Sequence, residues 1–438
     1  MMTYKETCNY LFNQIPMFEN QGAAGYKEGL DNSLKLDKHF GHPHRDYLTI
    51  HIAGTNGKGS CAHTLSAILQ RCGYKVGLYT SPHLVDFCER IRINGHPISQ
   101  DYVCQFVDEG KNFFESLHPT FFELTTAMAF KYFSEQKVDI AVIEVGLGGR
   151  LDCTNVITPI LSVITNISLD HIQQLGDSVE QIAMEKAGII KKGVPVVIGE
   201  ATPETKMIFE AVAQEQNAPI FFAEDHPEVL NSELLEHGIR YQTKHFGTIQ
   251  GELGGIYQTK NTNTILKAVR VLEDLGYMYR FSDTSTSEVR GKEIAEGFLS
   301  VCEYTGLKGR WQVISEHPKV VCDTGHNVGG WEYISKQLSQ VECNKMHIVF
   351  GMVEDKDMDG ILALLPKNAT YYFTKSRNKR SVSENVLKII GEQQGLIGEC
   401  YPTVIDAWES AKNAAKPDDF VFIGGSSYVV ADFLENSI

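Results

Sequence analysis

The ten cysteines include no Cys-x-x-Cys pair; the closest two, Cys61 and Cys72, stand 11 residues apart, which excludes the common zinc and dithiol signatures. Dispersed thiols suit a reducing compartment, so a cytoplasmic protein is expected. Long apolar runs are missing too. Nothing approaches the roughly 18 consecutive apolar residues of a membrane span, and the first residues hold no apolar signal core, so the expectation is a soluble chain that is not exported. Basic residues are the minority, with Lys plus Arg at 40 against 55 for Asp plus Glu and a net charge of -15. That balance disfavours nucleic acid and anionic membrane as partners and leaves room for a local basic pocket that takes a small anion. Neither an internal repeat nor a low-complexity tract is present, which excludes solenoids and fibres.

What remains is a chain of 438 residues, 42% apolar and 22% charged, the balance of a folded protein with two or three domains. From Tyr47 short β-branched runs alternate with helical patterns, the rhythm of a parallel sheet covered by helices. Tyr47–Ala53, Lys75–Tyr79, Asp139–Val145, Pro159–Thr165 and Pro195–Ile198 read as strands. Ser60–Cys72, Asp101–Ser116, Phe122–Gln136 and Val179–Ala187 read as helices, with Gly73 and Gly188 at the expected C-terminal stops. Between Asp225 and Gly255 the rhythm breaks: Ile239–Thr243 and Thr248–Leu253 alternate like antiparallel strands with one wet face. A helix over Asn261–Leu275, a polar loop over Phe281–Glu288 and a helix over Glu293–Cys302 lead to a second β/α series. Its strands are Lys319–Asp323, Met346–Gly351, Thr370–Phe373 and Asp419–Gly424, and its helices lie near Trp331–Leu338, Glu384–Gly391 and Asp406–Ala415. The expected fold is α/β in two domains, a large one over residues 1–302 with a mainly parallel sheet and a smaller one over residues 303–438.

The most informative run follows the first strand. Gly54-Thr-Asn-Gly-Lys-Gly-Ser60 opens a helix, and its glycines let successive N–H groups and the helix N-terminus face one anion. Lys58 can reach outer phosphates and Ser60 can ligate Mg²⁺. The strict phosphate-loop pattern is not met, because Ile52 occupies the first glycine position and Gly59 separates Lys58 from the hydroxyl. Glu144 ends a buried strand at the edge where open parallel sheets bind ligands, a natural place for a Mg²⁺ ligand. Asp170-His171 follows another strand and can bring an imidazole to that edge. Gly146-Leu-Gly-Gly-Arg-Leu151 imitates a dinucleotide fingerprint, but its sixth position is Leu151 and no helical pattern follows, so an NAD site is rejected. His39, His42 and His44 invite a metal. No carboxylate or cysteine shares their spacing, and a polar loop before the first strand is the better reading.

In order along residues 22 to 430, these segments resemble the folylpolyglutamate synthase/dihydrofolate synthase family of the Mur-ligase superfamily of ATP-dependent amide ligases. The phosphate loop is joined by Thr80-Ser-Pro-His-Leu84 with Glu89-Arg-Ile-Arg-Ile-Asn-Gly95, by Glu144-Val-Gly-Leu-Gly-Gly-Arg-Leu-Asp152, and by Asp170-His171. Glu185-Lys-Ala-Gly188, Tyr257-Gln258 with Asn261, Gly309-Arg310, and Asp323 with His326-Asn327 complete the set. The resemblance implies a P-loop-type N-terminal domain, a Rossmann-like C-terminal glutamate-ligase domain, ATP as co-substrate and two Mg²⁺ ions. It implies ATP contacts at Asn56, Gly57, Lys58, Gly59, Ser60, Asn261, Arg310 and Asp323, and metal ligands at Ser60, Ser81, Glu144 and His171. It implies folate contacts at Phe122, Glu123, Thr125, Leu151, Asp152 and Cys153, and catalytic roles for Lys58, Lys186 and His326. In related ligases the lysine equivalent to Lys186 becomes a carbamate; the alternative is a lysine that complements the helix dipole. The family usually reads Asp-Gly-Ala-His-Asn-Pro where this chain has Asp323-Thr-Gly-His-Asn-Val328.

The activity so implied transfers the γ-phosphoryl of ATP to a carboxylate of dihydropteroate or a reduced folate. The amine of L-glutamate then attacks the acyl phosphate. A monomer is expected. A single-activity folylpolyglutamate synthase and another Mur-type amide ligase are the alternatives, though a third, N-terminal uridine-binding domain is missing for the cell-wall enzymes. A nucleotide-driven switch is the rival from another class, distinguished by ATP turnover without a carboxylate substrate.

Overall fold

The computed structural model describes residues 2–15, 29–279 and 287–437. Contacts divide the chain into two compact units, Met1–Leu235 with Ile239–Glu252 and Thr259–Leu307, and Glu236–Gly238 with Leu253–Gln258 and Lys308–Ile438.

The first unit is built on eight strands: β1 (Leu48–Ala53), β2 (Val76–Tyr79), β3 (Ile91–Ile93), β4 (His96–Pro97), β5 (Ile140–Glu144), β6 (Leu161–Ile164), β7 (Val196–Ile198) and β8 (Ile220–Phe222). They lie in the order β4-β3-β2-β5-β1-β6-β7-β8. The pairings from β2 through β8 are parallel, and β3 and β4 add an antiparallel edge. Strands buried on both faces must be apolar at every position rather than at alternate ones. In β5, Ile140 and Val142 enter one core with Ile50, Ile52 and Leu78, while Ala141 and Ile143 enter the other with Tyr79 and Phe133. The central place of β1 carries the loop that follows it to the middle of the sheet's carboxyl edge.

The helix after that loop, Lys58–Arg71, is buried from Ser60 through Leu69. It is covered by the helix Ser287–Leu299, where a Cβ at Gly297 would lie 2.7 Å from Ile68 Cα. Side-chain caps set three of the other helix starts: Ser99 Oγ accepts from Tyr102 N, Thr120 and Glu123 form a capping box, and Ser178 Oγ accepts from Gln181 N. Gly73 is left-handed at φ 90, as a helix stop requires. Gly188 is not: its φ is -61, and the small residue is needed there because a Cβ would lie 2.4 Å from Arg150 Cα.

The antiparallel segment has three strands where two were expected, β9 (Val229–Leu234) joining β10 (Ile239–Thr243) and β11 (Thr248–Gly251) in the order β11-β10-β9. In β9 five of six residues are exposed, so the alternation that marks a strand was missing. The Phe281–Glu288 loop falls outside the described residues as far as 286, and the chain is helical from Ser287.

The second unit holds β12 (Gln312–Glu316), β13 (Lys319–Cys322), β14 (Met346–Phe350), β15 (Ala369–Phe373), β16 (Ile397–Cys400) and β17 (Phe420–Gly424). Their order is β12-β13-β17-β14-β15-β16, parallel except for β12 on β13. The two edge strands, β12 and β16, are half-buried or exposed throughout and lacked a sequence signature. Trp331, Phe350, Phe373 and Phe422 fill its core.

Candidate active site

At the carboxyl edge of the first sheet, the phosphate loop is shaped by what crowds it. Gly54 and Gly57 have φ of 144 and 84, conformations that L side chains avoid. A Cβ would lie 1.8 Å from Thr165 Oγ1 at Gly54 and 2.2 Å from Asn261 Oδ1 at Gly57. The residues after β6 brace the loop from the side. Thr55 N donates to Asn166 O (2.9 Å), Asn56 N to Asn166 Oδ1 (2.9 Å), and Thr165 Oγ1 to Asn56 O (2.5 Å). Thr165, Asn166 and Ser168 were not among the expected site residues; their only sequence signal was the polar pair Thr165-Asn166 directly after the strand.

Two lysines converge on one carbonyl here. Lys58 Nζ donates to Gly54 O (3.0 Å) and Thr55 O (3.1 Å), and Lys186 Nζ donates to Gly54 O (2.9 Å). Lys186 is only 4% exposed. Burial, with Lys58 adding repulsion, pulls its ammonium down from 10.5 to about 7 despite Asp170 and Asp152. It sits in the last turn of Val179–Ala187, and Arg150 fixes that turn by donating from its backbone to Glu185 O (2.7 Å) and from Nη2 to Glu185 Oε1 (2.7 Å).

Glu144 ends β5 opposite Ile52 of β1 and is buried. Its Oε2 accepts from Ser81 N (3.1 Å), which brings two of the expected metal ligands together. Ser60 lies buried in the first turn of the phosphate-loop helix. His171 is held in the left-handed region at φ 51, and its N–H donates to Asp170 Oδ1 (2.8 Å). A carboxylate and hydroxyls beside a phosphate loop form the hard oxygen set that Mg²⁺ takes, completed by phosphate oxygens.

The residues expected to hold a folate divide into two kinds. Phe122 lies against Gly146, where a Cβ would meet its Cζ at 2.3 Å, and its ring is 5.9 Å from that of Tyr79. Asp152 is buried; its Oδ2 accepts from Leu147 N (2.8 Å) and its Oδ1 from Thr154 N (3.0 Å) and Thr154 Oγ1 (2.5 Å). Burial raises its carboxyl against those hydrogen bonds. Behind it His51 Nε2 contacts Thr154 Oγ1 (2.8 Å), and burial lowers that imidazole to about 3, so it stays neutral. Leu151 is half-buried beside Asp152, and the Cys153 thiol is raised well above its ordinary range, first by burial and then by Asp152. Glu123 and Thr125 have structural partners: Glu123 Oε2 accepts from Thr120 N (2.6 Å) and Asn32 Nδ2 (3.2 Å), while Thr125 Oγ1 donates to Phe121 O (2.7 Å).

The second unit gathers its own group at the carboxyl end of β13. Asp323 is buried and accepts from Tyr257 Oη (2.6 Å), Trp311 N (2.8 Å) and Gly325 N (2.8 Å). Arg310 donates through Nη1 to Gly309 O (3.1 Å) and to Thr324 Oγ1. His326 Nδ1 donates to Thr324 O (3.1 Å), which fixes the ring on the turn. Asn327 caps the helix Val328–Leu338 through Gly330 N. The departures at Thr324 and Gly325 therefore keep Asp323, His326 and Asn327 on one strand-to-helix turn.

Comparison with known proteins identifies the family. Residues 52–262 match the Mur ligase middle domain, and residues 309–427 match the Mur ligase glutamate ligase domain. The dihydrofolate synthase/folylpolyglutamate synthase of Bacillus subtilis is 32% identical over 422 residues, covering 93% of this chain and 94% of the relative. The Escherichia coli FolC structure in complex with DHPP and ADP superposes with a TM-score of 0.82 at 31% identity, covering 99% of this chain and 97% of that one. A bifunctional folylpolyglutamate synthase/dihydrofolate synthase with Mn, AMPPNP and L-glutamate bound gives 0.79 at 28% identity, covering 100% and 99%. With both Mur ligase domains in order and a relative matched along nearly its whole length, the chain belongs to the dihydrofolate synthase/folylpolyglutamate synthase family of Mur ligases.

Proposed function

We propose that the chain joins L-glutamate both to dihydropteroate and to the γ-carboxylate of glutamylated folates, as a cytoplasmic monomer, through an acyl phosphate. The reaction class is that of its family, ATP-dependent amide ligation. The observation that carries the site assignment is the convergence of Lys58 and Lys186 on Gly54 O next to the edge that bears Glu144. In this reading residues 1–302 bind ATP and residues 303–438 form the glutamate-ligase domain.

The γ-phosphorus–oxygen bond to ADP breaks as a carboxylate oxygen of the acceptor attacks the phosphorus, and positioning and charge neutralisation supply most of the rate. Lys58 exchanges its loop carbonyls for phosphate oxygens, with Asn56, Gly57, Gly59 and Ser60 cradling the phosphates through backbone and hydroxyl. Ser60, Ser81, Glu144 and His171 would hold Mg²⁺, two ions in all, which when bound screens the phosphates. Asn261, Arg310 and Asp323 hold the nucleotide, and His326 orients the transferred group. Phe122, Leu151 and Asp152 take the pterin side, with Glu123, Thr125 and Cys153 behind them. The glutamate amine then attacks the acyl carbon, the acyl–oxygen bond to phosphate breaks, and the amine gives up its proton.

Lys186 enters as a carbamate in this reading. An amine with a pKa of 10.5 is neutral in roughly one molecule in 3,000 at pH 7, whereas one lowered to about 7 is neutral in about half. The neutral amine adds to CO₂ and releases a proton, leaving an anion next to Lys58. ADP release measured with dihydropteroate or tetrahydrofolate, each with and without L-glutamate, tests the function. Both acceptors should support glutamate-dependent release; only one doing so reduces the assignment to a single activity.

A further inference from the structure

The amino end of β1 carries a group that the ligase chemistry does not use. Asp37 lies in the last turn of the helix Asp31–His39, and the chain then turns back through two left-handed residues, Gly41 (φ 77) and His42 (φ 60), into Pro43–Arg45. This reversal is anchored by His42 N donating to Asp37 O (2.8 Å). It brings His42 Nδ1 to 2.5 Å from Asp37 Oδ2 and His44 Nε2 to 3.3 Å from Asp37 Oδ1. Asp37 is therefore the carboxylate that the sequence spacing of the histidines did not reveal. It is 7% exposed, and its Oδ1 is buried without a hydrogen bond of acceptable geometry. One donor atom from each of the three residues lies within 4.8 Å of the others.

The geometry points to a binding site for a divalent transition metal of the zinc class, formed by Asp37, His42 and His44. Two imidazoles and one carboxylate are a borderline donor set that prefers such ions to Mg²⁺. Tetrahedral bonds of about 2.0–2.1 Å place neighbouring donors roughly 3.3–3.4 Å apart. The His44–Asp37 pair already has that spacing at 3.3 Å, while the His42–Asp37 pair is at hydrogen-bond length and must open when the imidazole proton moves to Nε2. The fourth position opens to water beside His42, whose side chain is 37% exposed. His39 takes no part, since its ring stacks on Phe113 at 3.9 Å. The six residues of β1 separate this group from the phosphate loop, roughly 20 Å of strand, so the site is independent of the one that holds nucleotide. Its metal would clip the helix end to the turn that leads into the central strand.

The test uses the full chain, treated with chelator, then kept in saturating Mg²⁺ and titrated with Co²⁺ as the spectroscopic probe. One Co²⁺ per chain with tetrahedral d–d absorption and no thiolate charge-transfer band is expected, displaced by Zn²⁺. His44→Gln and Asp37→Asn should each weaken Co²⁺ binding by more than ~10-fold, the loss that even outer-shell changes cause, with ADP release in Mg²⁺ unchanged. Absence of stoichiometric binding, a thiolate band, or equal affinity in folded variants overturns the site. If the variants do not fold, the wild-type stoichiometry and spectrum decide alone, because a hydrogen-bonded Asp–His clasp gives neither.

Discussion

The carboxyl edges of the two parallel sheets hold their polar groups by opposite means. In the first, two cations rest on the carbonyl of Gly54, one of them a buried lysine lowered to about 7, in a loop whose shape depends on missing Cβ atoms. In the second, a buried carboxylate, Asp323, is held by three donors, and burial raises its pKa against them. Left-handed glycines and a buried lysine tolerate little change, because an L side chain is strained at those φ values and no neighbour replaces the charge. A carboxylate with three donors loses one at modest cost. The first edge should therefore be the more fragile under mutation.

Lys58→Ala tests the contrast most severely: kcat for ADP release is expected to fall by about 10²–10³-fold, with circular dichroism unchanged. Near-wild-type turnover would falsify the assignment of the phosphate loop. Glu144→Gln should come next. Losing the charge that a hard cation prefers raises the Mg²⁺ half-saturation of activity by about 10–100-fold, while ATP binding without metal stays close to wild type.

Lys186 sharpens the comparison through pH. Its folded-state value of about 7 lies below the ordinary 10.5, so between those values the unfolded chain binds the extra proton. Stability should rise with pH across that window by up to ~1.4 kcal/mol per pH unit and be flat, in this respect, below it. Urea unfolding in CO₂-free buffer should show the slope in wild type and a shallower one in Lys186→Met; parallel curves would remove the buried amine from the account. Mildly acidic, bicarbonate-free protein should also lose activity and regain it on adding bicarbonate.

Tyr257→Phe carries the smallest expected effect. Removing one of the donors to Asp323 should cost ~1 kcal/mol, a change of about fivefold in KM for ATP. A loss as large as that of Lys58→Ala would mean that the second edge is no more tolerant than the first.

The sequence made the candidate residues at both edges legible where they sit at strand ends, at which a β-branched run stops. Gly54 to Ser60, Glu144 and Asp323 to Asn327 follow that rule, while Asp170-His171 stands six residues beyond the end of β6. The bracing residues Thr165 and Asn166 obeyed it too but carry no motif of their own. Edge strands β9, β12 and β16 escaped because strands that are exposed or only half-buried along their length carry no strong hydrophobic period.

By itself the sequence determined the alternation of strands and helices, the two-part α/β plan and the family, since each rests on residue type and order along the chain. Tertiary structure alone decided which groups meet. It placed Lys186 on Gly54 O across 132 positions and turned its pKa toward neutrality, because burial and a second ammonium act through space. It showed that Gly188 is small for the sake of Arg150, and that Glu123 also closes a helix cap. It set Asp37 between His42 and His44 because two left-handed residues fold the chain back on its own helix, a reversal that spacing does not disclose.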